Sequence, residues 1–205
     1  VFYRTDHHWT SLGAYYAFQA AAQSLGIKTD ERKQYKAHTV SNTFEGTLAS
    51  KSGCHEVTDT ITVYEPQKDD TQFYVTYDDT QEKSRSLFVE KCLKDKDQYT
   101  VFFGGNHPKI TIRTTSESGR RLLIFKDSYA NSFIQFLTPY YEKIILVDPR
   151  YYYDNASSII TGEEITDVLF LYNLNTYLED NSLADTLDAA QPEQTEGGDT
   201  AATNT

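Results

Sequence analysis

Residues 121–148 decide the fold: Arg121-Leu-Leu-Ile-Phe-Lys126, then Asp127-Ser128-Tyr129-Ala-Asn-Ser132, then ten residues ending in Glu142, then Lys143-Ile-Ile-Leu-Val-Asp148. Both runs, 122–125 and 144–147, are apolar at every position, the mark of strands buried on two faces, as in a parallel sheet covered by helices. Between them, 129–141 is long enough for a crossover helix, with Pro139 near its end. Further on, Thr161-Gly-Glu-Glu164 suggests a helix start, Asp167-Val-Leu-Phe-Leu-Tyr172 a third strand and 175–187 a last helix. Strand, helix, strand, helix, strand at this spacing predicts an α/β fold with a parallel sheet flanked by helices.

Toward the N-terminus the texture changes twice. Residues 40–116 contain Thr60-Ile-Thr-Val-Tyr64, Gln72-Phe-Tyr-Val-Thr-Tyr77 and Lys109-Ile-Thr-Ile-Arg113, divided by polar turns such as Asp69-Asp70 and Asp78-Asp79. This reads as a β-rich insertion, an inserted hairpin subdomain. Residues 11–25 carry Leu12, Tyr15 or Tyr16, Phe18 or Gln19, Ala22 and Leu25 at helical spacing, with Thr10 or Ser11 as N-cap and Gly26 as C-cap. Ahead of that helix, Val1-Phe-Tyr-Arg-Thr5 predicts a short strand or loop. Asp6-His7-His8-Trp9 therefore sits where the chain feeds a helix N-terminus.

The chain has 205 residues, 39% of them hydrophobic and 14% aromatic, with 16 Tyr doing much of the burying. That suffices for one domain with a sizeable core. The reading places the domain at 1–187 and a disordered acidic tail at 188–205, where Gln, Glu, Gly, Thr and Ala leave little to bury. No stretch approaches the roughly 20 apolar residues of a spanning helix. A start at Val1 and the lack of Met read as a processed or N-terminally shortened chain. Net charge is −11, yet all Lys and Arg lie within residues 1–150, and only acids follow Arg150. A neutral body with an acidic end has no clustered bases to displace counterions from phosphates, which argues against nucleic acid as a partner. Cys54 and Cys92 form no metal-ligand spacing, and either a disulfide or two free thiols fits them.

Three segments carry the candidate chemistry. Ser128 follows a buried strand, at the corner where ligands bind in open α/β sheets, and the N–H groups of Ser128 and Tyr129 there can face an oxyanion. Taken alone, Ser128 reads more readily as a helix N-cap. Asp6 and His8 are two apart, so in extended chain both project to one side; the carboxylate can hold Nδ1 and leave Nε2 as a general base. Such a base is what a serine hydroxyl needs to become a nucleophile. Phe103-Gly104-Gly105-Asn106 supplies close backbone approach and a side-chain amide donor, although a bare Gly-Gly-Asn is more often a turn.

Four runs in this order carry a family likeness: Tyr3-Arg-Thr-Asp6-His7-His8-Trp9-Thr10, Phe44-Glu-Gly-Thr-Leu-Ala-Ser-Lys-Ser-Gly53, Phe103-Gly-Gly-Asn106-His-Pro108 and Phe125-Lys-Asp-Ser128-Tyr-Ala-Asn-Ser132. They resemble the DHHW family of bacterial envelope proteins, itself similar to the SGNH-hydrolase-like domains of alginate O-acetylation proteins. The likeness covers roughly residues 1–180. It implies a flavodoxin-like SGNH-hydrolase fold with Ser128 as nucleophile, His8 as base and Asp6 as its orienter. It also implies an oxyanion hole from Gly105 or Gly104 with Asn106. Arg150, Trp9 and Tyr129 are candidates for substrate binding. The nucleophile segment departs from the SGNH pattern in reading Lys-Asp-Ser where Gly-Asp-Ser is usual.

The implied function is a serine-dependent O-acyl (acetyl) esterase or transferase acting on a cell-envelope or extracellular polysaccharide. The partners implied are an acetylated glycan and an envelope membrane-bound acyltransferase, with no cofactor, in the extracellular space or cell envelope of a bacterium. An alternative keeps the scaffold without turnover, as a glycan-binding or assembly component. A third reading makes Asp6-His7-His8 metal ligands; His38, His55 and His107 offer no spacing that would complete such a centre.

Overall fold

The structure, a computed structural model, describes residues 1–28, 35–67 and 71–189. Its centre is a six-stranded mixed sheet. The strands are β3 (Phe73–Tyr77), β4 (Lys83–Ser84), β5 (Lys109–Thr114), β6 (Arg121–Lys126), β7 (Lys143–Val147) and β8 (Asp167–Leu171), in the order β4-β3-β5-β7-β6-β8. A separate two-stranded antiparallel sheet pairs β1 (Tyr35–Phe44) with β2 (Asp59–Pro66).

The α/β half behaves as its sequence dictates. β6 pairs in parallel with β7 on one side and β8 on the other. Alternate residues of β6 and β7 enter two different cores, which is why both runs are apolar throughout. Leu122, Ile124, Ile144 and Leu146 face Phe18, Phe133 and Phe136. Leu123, Phe125, Ile145 and Val147 face Tyr152, Ala156 and Ile159. The last two of these belong to α3 (Ala156–Gly162), the crossover between β7 and β8. The chain leaves β6 toward one neighbour and returns to the other, so the carboxyl end of β6 is a switch point in strand order. Crevices open at such points.

Several expectations need correction. The sheet is mixed, because β5 runs antiparallel to β7 and β3 antiparallel to β5. Strands 73–114 thus extend the central sheet and do not stand apart as a hairpin unit; only β1 and β2 form a sheet of their own. The helix expected over 129–141 is a pair of 3-10 turns, Ser128–Ser132 and Ile134–Phe136. Every residue from Ala130 to Pro139 is buried, so no polar face exists, and Asn131, Ser132 and Gln135 spend their side chains on tertiary hydrogen bonds. The helix expected over 175–187 is two, α4 (Leu174–Glu179) and α5 (Ser182–Asp188), broken where Asp180 Oδ1 accepts from the Ser182 N–H. Of the two forms expected for Val1–Thr5, strand or loop, the segment takes the loop, with an isolated bridge between Phe2 and Trp9.

Helix α1 (Ser11–Ala22) starts as expected on Thr10, whose hydroxyl accepts from the Gly13 N–H, and ends a turn before Gly26. Cys54 is exposed and Cys92 buried, both as free thiols. Among the described residues no helix is long and apolar enough to cross a membrane. The expected acidic tail lies outside the described residues from 190 onward.

Candidate functional site

The irregular N-terminal segment owes its shape to a set of anchors. The Asp59 carboxylate accepts from the backbone N–H of Arg4 and Thr5 and from the Thr5 hydroxyl, at 2.9, 2.7 and 2.6 Å. The Thr5 carbonyl in turn caps α2 (Thr47–Ser52) by accepting from Leu48 and Ala49. On the other flank the Trp9 indole N–H donates to the Tyr129 carbonyl at 2.9 Å and to Ser132 Oγ at 3.0 Å. A segment without regular structure is thereby held against both α2 and the corner after β6.

Those anchors bring Asp6, His8 and Ser128 into line. His8 Nε2 lies 2.8 Å from Ser128 Oγ, across 120 positions of sequence. His8 Nδ1 lies 2.5 Å from Asp6 Oδ1. A carboxylate only accepts, so the ring proton belongs on Nδ1, and Nε2 is left with a lone pair toward the serine hydroxyl. Asp6 is buried and fully engaged: Oδ1 also accepts from the His8 N–H at 2.9 Å, and Oδ2 accepts from the Thr47 N–H at 2.8 Å and Thr47 Oγ1 at 3.0 Å. Burial works against the charge of this carboxyl, but the donors from His8 and Thr47, with His7 Nδ1 close by at 3.6 Å, outweigh it and hold the carboxyl well below the usual range. Burial likewise pulls His8 below the ordinary imidazole value, against the opposing pull of Asp6. The ring is neutral at neutral pH, the form that can take a proton.

The His8 ring is clamped on its other face by Tyr99, stacked at 3.8 Å with an interplanar angle of 11°. The Tyr99 hydroxyl donates to the Ser128 carbonyl and to Ser132 Oγ, both at 3.1 Å. His8 and Ser128 are therefore fixed by a common side chain. Ser128 itself is half-buried and opens the first 3-10 turn, with Asp127 as the cap residue. Asp127 Oδ1 accepts from the Tyr129 N–H at 2.9 Å, and Oδ2 from the Asn173 N–H at 2.9 Å.

That cap corrects the expected oxyanion donors. The Tyr129 N–H is spent on Asp127, and the Gly104 and Gly105 N–H groups turn back to the Thr100 and Phe102 carbonyls at 2.9 and 3.3 Å. The Ser128 N–H takes no partner among the described residues. Positive φ at Phe103, Gly104 and Gly105 (64°, 80° and 119°) curls this loop and leaves Asn106 exposed at its end. Asn106 Oδ1 accepts from Asn131 Nδ2 at 3.3 Å, which leaves its own Nδ2 hydrogens without a partner among the described residues.

The candidate substrate-binding residues are engaged within the protein. Trp9 has donated its N–H as described. The Tyr129 hydroxyl donates to the His7 carbonyl. Arg150 grips Asp148 with Nε at 2.8 Å from Oδ1 and Nη2 at 2.6 Å from Oδ2. Beside the Asp6 anchor runs an open cleft of about 240 Å³ lined by Glu45, Gly46, Thr47, Ser50, Lys96 and Asp97.

Asp6, His7 and His8 present ligand atoms within 4.8 Å of one another. The donor set fits a metal poorly. Four hydrogen-bond donors already occupy the Asp6 oxygens, His7 Nδ1 meets Thr47 Oγ1 at 2.7 Å, and both His8 nitrogens are engaged.

Thr47, Gly46 and Tyr99 enter the site without a role having been read for them in the sequence. Gly46-Thr47 lies in a motif quoted above; nothing in the run around Tyr99 marks it.

The fold and this site define an α/β protein with a Ser-His-Asp constellation at a sheet switch point. The chain belongs to the DHHW family, whose model matches residues 1–147. It is similar to a DHHW family protein from Eubacterium siraeum, with 32% identity and a TM-score of 0.77 over 89% of this chain and 62% of that one. It shares its fold with Bacillus cereus PatB1, solved with a sulfonyl adduct (20% identity, TM-score 0.68, 85% of this chain and 61% of that one) and without (18%, 0.63, 85% and 63%). The chain thus spans a little under two thirds of the length of these solved relatives. No curated protein matches the sequence.

Proposed function

We propose that this protein is a serine-dependent O-acyl esterase or transferase, with an SGNH-type arrangement, acting on a cell-envelope or extracellular polysaccharide. The observation that carries the reading is the unbroken line from Asp6 through His8 to Ser128, with hydrogen bonds of 2.5 and 2.8 Å. In this reading His8 Nε2 takes the Ser128 proton as Oγ attacks an ester carbonyl. The resulting oxyanion is met by the Ser128 N–H and Asn106 Nδ2, in the way such donors stabilise charge that develops only in the transition state. Collapse expels the alcohol, which takes the proton back from His8 and leaves an acyl-Ser128. Water or a sugar hydroxyl, deprotonated by His8, then releases the acyl group.

Two further observations support the reading. PatB1 was solved as a sulfonyl adduct, and sulfonylating reagents react with activated nucleophiles such as Ser128 would be. The open cleft beside the Asp6 anchor, lined by Glu45, Gly46, Thr47, Ser50, Lys96 and Asp97, offers room for a residue within a polymer. A membrane-bound acyltransferase that supplies the acyl group, and a place in the cell envelope, belong to the same proposal.

The test is release of p-nitrophenol and acetate from p-nitrophenyl acetate, with acetylated xylan and chitosan as glycan substrates. Wild type is expected to show a burst followed by turnover, and Ser128→Ala and His8→Ala to lose it. Wild type indistinguishable from both variants, with glycan binding intact, would favour the binding-component alternative.

A further inference from the structure

The position where the nucleophile segment departs from the SGNH pattern is occupied by a lysine with no exposed surface. Lys126 ends β6, two residues before Ser128, and a buried ammonium is costly unless its protons find acceptors. Its Nζ donates to Asn131 Oδ1 at 2.9 Å and lies 3.6 Å from Asp148 Oδ2. The charge of Asp148, itself fully buried, is already matched by the two-pronged grip of Arg150. The directional bond of Lys126 is therefore the one to Asn131. Burial pulls the ammonium down to about 8 against the pull of Asp148, which leaves it charged at neutral pH.

An ammonium offers only donors, so the amide of Asn131 must turn its oxygen toward Lys126. Its nitrogen then points to Asn106 and donates to Oδ1. With that oxygen occupied, Asn106 keeps its NH₂ free. A chain of three side chains thus converts one buried positive charge into the orientation of an exposed amide that would otherwise turn either way. Thr or Leu at 126 would leave Asn131 without a reason to choose.

We propose that Lys126 is a positioning residue for the oxyanion site, setting the amide polarity of Asn106 through Asn131. This rests on the role given above to Asn106, so the test has one arm that needs no activity. In ¹⁵N-labelled protein the side-chain NH₂ resonances of Asn131 and Asn106 are followed in wild type and Lys126→Met. The expected result is that the variant shifts and broadens both pairs and speeds exchange of the Asn131 protons. Unchanged resonances for both would overturn the proposal whether or not the protein turns over substrate.

The second arm uses p-nitrophenyl acetate. Removal of one oxyanion donor costs about 10²–10³ in kcat in comparable sites, so Asn106→Ala sets the ceiling. Lys126→Met is expected to lower kcat at least tenfold with KM nearly unchanged, and to cost nothing further in the Asn106→Ala background. Losses that multiply in the double variant, or a kcat equal to wild type, would overturn it. Asn131→Asp guards against a folding defect: the carboxylate strengthens the bond to Lys126 but has no proton for Asn106. It is expected to lose kcat like Lys126→Met while keeping its melting temperature. Wild-type kcat in Asn131→Asp would count against the proposal equally.

Discussion

Asp6 packs against the bare Cα of Gly46: a Cβ built there would lie 2.2 Å from Asp6 Cβ and 2.3 Å from Oδ2. Asp6 cannot yield, since both its oxygens are held by two donors each. Gly46→Ala is therefore expected to push Asp6 off Thr47 and His8. Overpacking of this kind costs about 1–3 kcal/mol, and melting should show it. Turnover of p-nitrophenyl acetate should fall more than tenfold in the fraction that remains folded. A variant with wild-type melting temperature and rate would mean that Asp6 has more freedom than its contacts indicate.

Asp6→Asn keeps the shape and removes the charge. An amide can turn its NH₂ toward His8 Nδ1, and the ring proton then moves to Nε2, where it faces Ser128 and blocks proton uptake. The equivalent change in a serine protease triad costs about 10⁴ in kcat. A loss of roughly 10³–10⁴ with little change in KM is expected here. Steady-state kinetics decide it; a loss under tenfold would remove Asp6 from the mechanism.

Much of this arrangement was legible in the sequence, and the reasons differ by segment. Strands β6 and β7 announce themselves because both faces are covered, so Leu122 to Phe125 and Ile144 to Val147 have no polar position to confuse the pattern. The spacing of Asp6 and His8 carries their hydrogen bond locally, as a two-residue step allows. What brings His8 to Ser128 is not local at all. It depends on Thr5 and Trp9 in the N-terminal segment meeting Asp59 and Ser132 far along the chain, and only the order of the four family motifs hinted at it. The 3-10 turns after Ser128 escaped the reading because a stretch buried on every side has no period to detect. The placement of β3 to β5 in the central sheet escaped it because strand pairing over long separations leaves no local trace. Lys126 looked like an irregularity, since a lysine in sequence says nothing of its burial.

Acid should act on rate and stability in the same direction. In the proposed mechanism the active form of His8 is neutral, and burial holds its folded-state value below the ordinary 6.5. The rate should therefore persist as pH falls past 6.5 and decline only below it. For stability, the unfolded chain takes up a proton on His8 from about pH 6.5 downward before the folded one does. Stability contributed by the neutral ring is thus complete above that pH and lost as pH falls toward the folded value. Asp6 adds a second loss at lower pH, its carboxyl being depressed in the fold. Melting temperature followed from pH 8 to pH 3 should fall in two stages, and His8→Gln should abolish the upper one. A kcat/KM profile whose acid limb lies above 6.5 would contradict the burial argument.

Tyr99 offers the most discriminating substitution, because its ring and its hydroxyl hold different partners. The ring lies flat on His8 and restricts its rotation; the hydroxyl ties the Ser128 carbonyl and Ser132 Oγ to the same point. Tyr99→Phe keeps the first and removes the second. Loss of a buried hydrogen bond costs about 0.5–1.5 kcal/mol, with a further penalty where an acceptor is stranded, so melting should drop by a few degrees. The rate should fall only several-fold, since His8 remains clamped and its bond to Ser128 survives. Tyr99→Leu removes the clamp as well, and a base free to rotate spends less time aligned with the hydroxyl. Its rate should fall well beyond that of Tyr99→Phe, by more than the difference in folded fraction explains. If the two variants lose rate equally, the hydroxyl alone matters and the stacked ring is packing. If Tyr99→Phe matches wild type in both measurements, the corner after β6 is held by its own turns and needs no tie to the base.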